Sequence, residues 1–196
     1  AALEQLWLKA RAVHSVDLAA VGDLARREAW FNATDPALAA QTLADLAARD
    51  IFTPRQAAEL QAVLERFWRA LPAGQPVLNH GDLTLDNAIW YAGSVVSLMD
   101  FEWALVAPAE IDLNELVKWA YAPLDDNRPA EDRSRAHQVV ALAAKPLLAI
   151  PGGWERLCGY AVLPELWLLK TWLEHPEGEG AFETWAPYRL LQSISD

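Results

Sequence analysis

Between residues 76 and 100 the pattern of the chain changes, and that change restricts the fold more than any other feature. Pro76-Val77-Leu78-Asn79, Ala88 to Tyr91 and Val95 to Met99 are short runs of strand-forming residues. The last two are joined around Ala92-Gly93-Ser94, which reads as a hairpin turn. On either side, apolar residues recur at helical spacing. The expected fold class is therefore mainly α, an α+β arrangement in which helices surround one small β-hairpin unit. At 196 residues the whole chain, 1–196, is expected to form a single compact domain.

The helical part has recognisable starts and stops. Helices are predicted over Leu3–Val13 and Leu18–Phe31. Asp35-Pro36 and Thr53-Pro54 each place a capping side chain before a proline at the first helical position, opening helices to about Arg49 and Ala70. Pro72 and Gly74 close the second of these. After Asp100 a loop is expected to lead to Pro108, followed by helices at about 109–121, 130–149, 154–174 and 181–194. Pro123, Pro151 and Pro176 lie near the breaks, and Pro164 is expected to kink the helix that contains it.

Composition narrows the classes of partner. With 53% hydrophobic and 22% charged residues the chain is an ordinary globular one. Its most apolar stretches are interrupted by Lys145 and Pro146 or by Glu165 and Lys170, so no membrane partner is expected. A net charge of −11 argues against a nucleic-acid partner and suits a cationic or neutral substrate. The single cysteine, Cys158, permits no internal disulfide and sits among apolar residues, where a buried, inert thiol is expected. The first residues form neither a signal nor a transit peptide, and the expected location is cytoplasmic. The only methionine is Met99, so the chain has no initiator and reads as a piece of a longer protein.

The chemistry is concentrated in His80-Gly81-Asp82-Leu83-Thr84-Leu85-Asp86-Asn87. Asp82 follows one short strand and Asn87 directly precedes the next, so one loop can aim both side chains at one point. Asp100 arrives at the end of the hairpin, because two strands of about five residues and a turn return the chain to its starting level. A carboxylate, an amide oxygen and a second carboxylate are then expected to face one pocket, with Asp100 beside Asn87. Phosphoryl transfer from ATP needs such a set: a carboxylate to orient and deprotonate the attacking hydroxyl, and hard oxygen ligands for Mg2+.

His80-Gly81-Asp82-Leu83 through Asn87, followed by Met99-Asp100-Phe101-Glu102-Trp103, resembles the aminoglycoside phosphotransferase and choline kinase family, whose fold is related to that of protein kinases. Gly81 and Glu102 stand where the protein-kinase signature has arginine and glycine. Pro108-Ala109-Glu110-Ile111-Asp112-Leu113 resembles the segment whose aspartate supports the catalytic loop from below, and Val13-His14 resembles the family's Leu-His motif.

The resemblance implies a helical C-terminal lobe of a small-molecule kinase. Asp82 would be the catalytic base, Asn87 and Asp100 would hold Mg2+ on the phosphates of ATP, and His80 and Asp112 would support the loop structurally. The phosphate-covering loop, strand lysine and helix glutamate of the N-terminal nucleotide lobe are not found in this chain, so that lobe is a missing partner and the isolated chain is expected to be inactive. The acceptor implied is a hydroxyl of an aminoglycoside, amino sugar, choline-like compound or sugar alcohol. Two other readings remain: a noncatalytic kinase-like binding module, and a metal-dependent phosphohydrolase, which would need a denser His/Asp ligand set. Asp86 is left without a role. Trp154, Trp167, Trp172 and Trp185 read as core-packing residues before sugar-stacking ones, and Glu165, Glu174, Glu177, Glu179 and Glu183 as a solvated acidic face.

Overall fold

The structure, a computed structural model, describes residues 2–22, 29, 31–121, 129–175 and 180–195. Its longer helices are α1 (Ala2–His14), α3 (Pro36–Ala48), α4 (Pro54–Ala70), α5 (Glu110–Tyr121), α6 (Ala130–Leu148), α7 (Gly153–Glu174) and α8 (Ala186–Ser195); α2 (Leu18–Val21) is a single turn. Four short strands lie between α4 and α5: β1 (Pro76–Asn79), β2 (Ala88–Tyr91), β3 (Ser94–Leu98) and β4 (Leu105–Pro108). The fold is mainly α with small antiparallel β pairs, as the sequence pattern predicts. Of the helix predicted over Leu18–Phe31, only the α2 turn is seen; residues 23–28 and 30 lie outside the described residues.

Local signals account for several boundaries. Asp35 accepts a hydrogen bond from the Leu38 amide at the start of α3. Thr53 and Gln56 form a reciprocal capping box at the start of α4, each side chain satisfying the other's backbone N–H. In the β2–β3 hairpin both turn residues, Ala92 and Gly93, have positive φ (48° and 78°). Two consecutive left-handed residues give the turn whose twist matches that of the flanking strands. Helix α7 runs continuously through Pro164.

Two elements depart from the sequence reading: the helix expected over 181–194 begins only at Ala186, after a 3-10 turn at Phe182–Thr184 and an extended Trp185, and a strand forms where a loop is expected. Residues 105–108, expected as loop, form β4, which pairs antiparallel with β1 in the register Val77↔Ala107 and Asn79↔Leu105. A four-residue segment carries too little alternation to be read as a strand alone. What defines it is its partner 28 residues earlier, where Asn79 Nδ2 also donates to the Ala107 carbonyl (2.8 Å).

Two apolar clusters form the core. One joins α3, α4, α7 and α8 through Leu43, Leu60, Leu64, Phe67, Leu163 and Leu191. The other joins α1, the β2–β3 hairpin, α5 and α6 through Leu6, Trp7, Val95, Leu113, Leu116 and Val140. Helix α5 serves both, giving Ile111 to the first cluster and Leu113 and Leu116 to the second. At Gly159, where α7 crosses α4, a Cβ would run into the Phe67 ring, so glycine lets the two helices approach closely.

Candidate active site

Strand β1 ends at Asn79, and the next eight residues loop across to β2. Asp112 holds that loop. This carboxylate is fully buried, accepting the His80 amide on Oδ2 and the Gly81 amide on Oδ1, both at 3.0 Å. The His14 Nε2 also contacts Oδ2, at 2.9 Å. A buried carboxylate needs donors to offset its desolvation, and here they are two loop amides and one imidazole. The last turn of α1, the loop and the first turn of α5 are thereby joined at one point.

His80 joins the loop to the segment after the hairpin. Its Nδ1 accepts the Asp82 amide (3.3 Å), which leaves Nε2 protonated and donating to the Met99 carbonyl (2.8 Å). The imidazole is fully buried and packs on the Phe101 ring at 4.6 Å. A histidine with both nitrogens committed has no lone pair left for a metal or a substrate proton.

Asp82 and Asn87 meet as the loop spacing predicts. Asn87 Nδ2 donates to the Asp82 carbonyl (3.0 Å) and to its carboxylate Oδ2 (2.8 Å). Asp82 is partly exposed, and Asn87 engages Oδ2 of its carboxylate. Across the hairpin the Met99 amide donates to the Asn87 carbonyl (2.9 Å), continuing the Ala88↔Leu98 pairing. Asp100 therefore follows directly on the residue opposite Asn87. It has a left-handed φ of 61°, which turns the chain out of the strand and leaves its side chain exposed.

The chemistry of these donors suits magnesium. With its nitrogen given to Asp82, Asn87 has its amide oxygen left for a cation, and Asp100 adds a carboxylate; both are hard oxygen ligands. Among the described residues no group of three or more His, Cys, Asp or Glu side chains is placed to hold a metal ion. Magnesium bound through one or two protein oxygens and the phosphates of a substrate needs no such group.

Three residues beside this loop carry a signal that sequence reasoning missed. Lys118 donates to Glu165 (2.7 Å) and to Glu115 Oε1 (3.1 Å). Burial pushes the Glu115 carboxyl above its ordinary range, and the Glu165 and Asp82 carboxylates add to the rise although Lys118 opposes it. For Lys118, burial works downwards, but the two carboxylates outweigh it and hold the ammonium above its usual value. One cation is shared by two acids, and Glu165 has the shorter bond. Glu165 is thus a buried, paired residue rather than part of a solvated face. The spacing Asp112, Asn114, Glu115, Lys118 on one predicted helix was the available clue. Of the tryptophans, Trp167 donates to the Phe31 carbonyl, Trp172 and Trp185 pack edge to face, and Trp154 is exposed.

A groove of about 880 Å³ runs between α1 and α6, lined by Leu8, Arg11, Arg135 and Leu142 among others. It contains none of Asp82, Asn87 and Asp100. Its one link to the loop is His14, so size alone does not mark the reacting centre.

Gly81 packs tightly against the segment after the hairpin. Its φ is 83°, and a Cβ there would run into the Trp103 carbonyl. Gly81→Ala is expected to lower unfolding stability by at least about 1–3 kcal/mol in urea titration. An unchanged midpoint would show that the loop relaxes without strain.

A small β unit thus presents an aspartate–asparagine loop and a following aspartate on a helical scaffold, an arrangement compatible with phosphoryl-transfer chemistry. The model of the phosphotransferase enzyme family, APH, matches residues 1–160, and the chain belongs to that family. No curated protein matches the chain.

Proposed function

We propose that this chain is the substrate- and metal-binding C-terminal lobe of an ATP-dependent kinase that phosphorylates a hydroxyl of a small molecule. The observation that carries the reading is the contact between Asn87 and Asp82, with Asp100 delivered next to it by the hairpin. Asp82 would orient the acceptor hydroxyl and take its proton as the oxygen attacks the γ-phosphorus. The Asn87 amide holds Asp82 Oδ2 from one side, and the other carboxylate oxygen would take the acceptor proton. Asn87 and Asp100 would hold Mg2+, which when bound with ATP gathers and neutralises the phosphate oxygens. Asp112 and His80 act through the loop, keeping its backbone in place by the hydrogen bonds described above.

A nucleotide lobe outside this chain would cover the ATP, and the chain alone would then turn over little or nothing. No helix among the described residues is long and apolar enough to cross a membrane, and the cytoplasm, where ATP is available, is the proposed setting. The test is Mg·ATP-dependent phosphorylation by the full-length protein of a panel of amino sugars, choline and sugar alcohols, with the 196-residue chain run beside it. Transfer by the full-length protein alone supports the reading. Absence of transfer and of ATP turnover in both would replace it with a noncatalytic binding module.

A further inference from the structure

The groove between α1 and α6 is walled by two helix faces. On α1, Glu4, Leu8 and Arg11 follow one another at spacings of four and three residues, which puts them on one face, and all three are exposed. On α6, Leu142 projects from the opposite wall. Leu8 and Leu142 are 58% and 73% exposed. A helix normally turns such residues inward, but the inner faces of both helices are already filled by Leu3, Leu6 and Ala10 and by Val140 and Ala144. The two leucines therefore form a second apolar face that the core does not use, and a continuous apolar patch of this kind marks a contact surface.

Charge indicates what covers it. Neither Glu4 nor Arg11 has a side-chain partner among the described residues, whereas Arg135 on the α6 wall is paired with Glu131 of its own helix. The open charges of α1 are thus one acid and one base, with Leu8 between them. At 1.5 Å of rise per residue they lie about 10 Å apart along the helix, and their midpoint falls within about 1 Å of Leu8. A two-fold axis through that midpoint, with two copies of α1 antiparallel, sets Glu4 of each copy opposite Arg11 of the other and Leu8 against Leu8. A surface of one sign answers only one of these charges. A second copy answers both.

We propose that this face is a dimer interface between two copies of the protein, built on antiparallel packing of α1 about a two-fold axis at Leu8, with Leu142 of each copy entering the groove of the other. The proposal is independent of the phosphotransferase reading, since the groove holds none of Asp82, Asn87 and Asp100. It reaches the loop only through His14, which lines the same groove and contacts Asp112.

The test is sedimentation velocity of the full-length protein over a range of concentrations, with α1 variants run beside the wild type. A reversible monomer–dimer equilibrium is expected. Leu8→Glu should raise its dissociation constant at least about tenfold, because it sets two like charges against each other at the axis. Glu4→Arg is expected to weaken the dimer by a similar factor, since the new cation opposes Arg11 of the other copy twice in each dimer. The double variant Glu4→Arg/Arg11→Glu should restore association to within about threefold of the wild type, because antiparallel pairing returns each charge to an opposite one. All of these positions are exposed in the single copy, so the heat-unfolding midpoint of the monomer should stay within about 2 °C of the wild type. A wild type that remains monomeric would overturn the proposal, and a lowered monomer midpoint for Leu8→Glu would then assign the face to another segment of the full-length chain. A dimer indifferent to Leu8→Glu would overturn it in favour of a different interface. Failure of the charge exchange to restore association would overturn the antiparallel arrangement.

Discussion

In the full-length protein, Asp82→Asn is expected to lower kcat for acceptor phosphorylation by roughly 10²–10⁴-fold, the usual contribution of a positioned general base. The substitution keeps the size of the side chain and removes its negative charge. Asn87 Nδ2 can still donate to the new amide oxygen, so the loop geometry held by Asp112 and His80 should survive. Binding of Mg·ATP should change little, because Asn87 and Asp100 remain. Single-turnover phosphorylation and nucleotide titration measured together separate the two effects. A variant that retains wild-type kcat would remove Asp82 from the base role; one that loses nucleotide binding as well would make it a metal ligand.

The second large effect is on stability. Arg156→Leu is expected to lower unfolding free energy by about 3–5 kcal/mol, because it leaves a buried carboxylate without its cation. Arg156 is fully buried on α7 and contacts Glu110 Oε1 through Nε (2.9 Å) and Nη2 (2.7 Å). Its Nη1 donates to the Ala70 and Pro151 carbonyls, at 3.2 and 2.9 Å. One guanidinium therefore fastens the end of α4, the start of α5 and the start of α7. The double variant Arg156→Leu/Glu110→Leu should recover a large part of the loss, since two apolar groups replace a pair whose desolvation is costly. Urea denaturation of the single and double variants measures this directly. If the single variant matches the wild type, the pair is not what holds α5 against α7.

Both effects converge on the first turns of α5. Glu110, Asp112 and Asn114 are all buried there, each against different groups: Arg156, the loop amides with His14, and the Tyr160 carbonyl. Acidic residues at a helix start complement the helix dipole and need no burial to be favourable. Read from the chain alone, Glu110 could as well have faced solvent. The resemblance assigned Asp112 a supporting place but gave no role to its polar neighbours, because those roles depend on α7, about 45 residues further on.

Much of the rest was legible. Helix starts at Asp35 and Thr53 follow from capping chemistry confined to four consecutive residues, and those caps are present. The hairpin follows from two β-prone runs and a turn that contains glycine, so the return of Asp100 to the level of Asn87 was readable from chain geometry. These features are local: each is set by residues within about twenty positions of one another.

What the sequence by itself determined was the helical frame, the hairpin, and the loop that carries Asp82 and Asn87, since capping, turn preference and strand length act over short spans. Tertiary structure alone decided that residues 105–108 become a strand, that His14 meets Asp112, that Glu165 is buried against Lys118, and that Asn114 and Glu115 line a cavity beside the loop. Each of these depends on partners 26 to 98 positions apart or on a wall assembled from several helices, and the burial that gives a polar side chain its role exists only once those helices have packed.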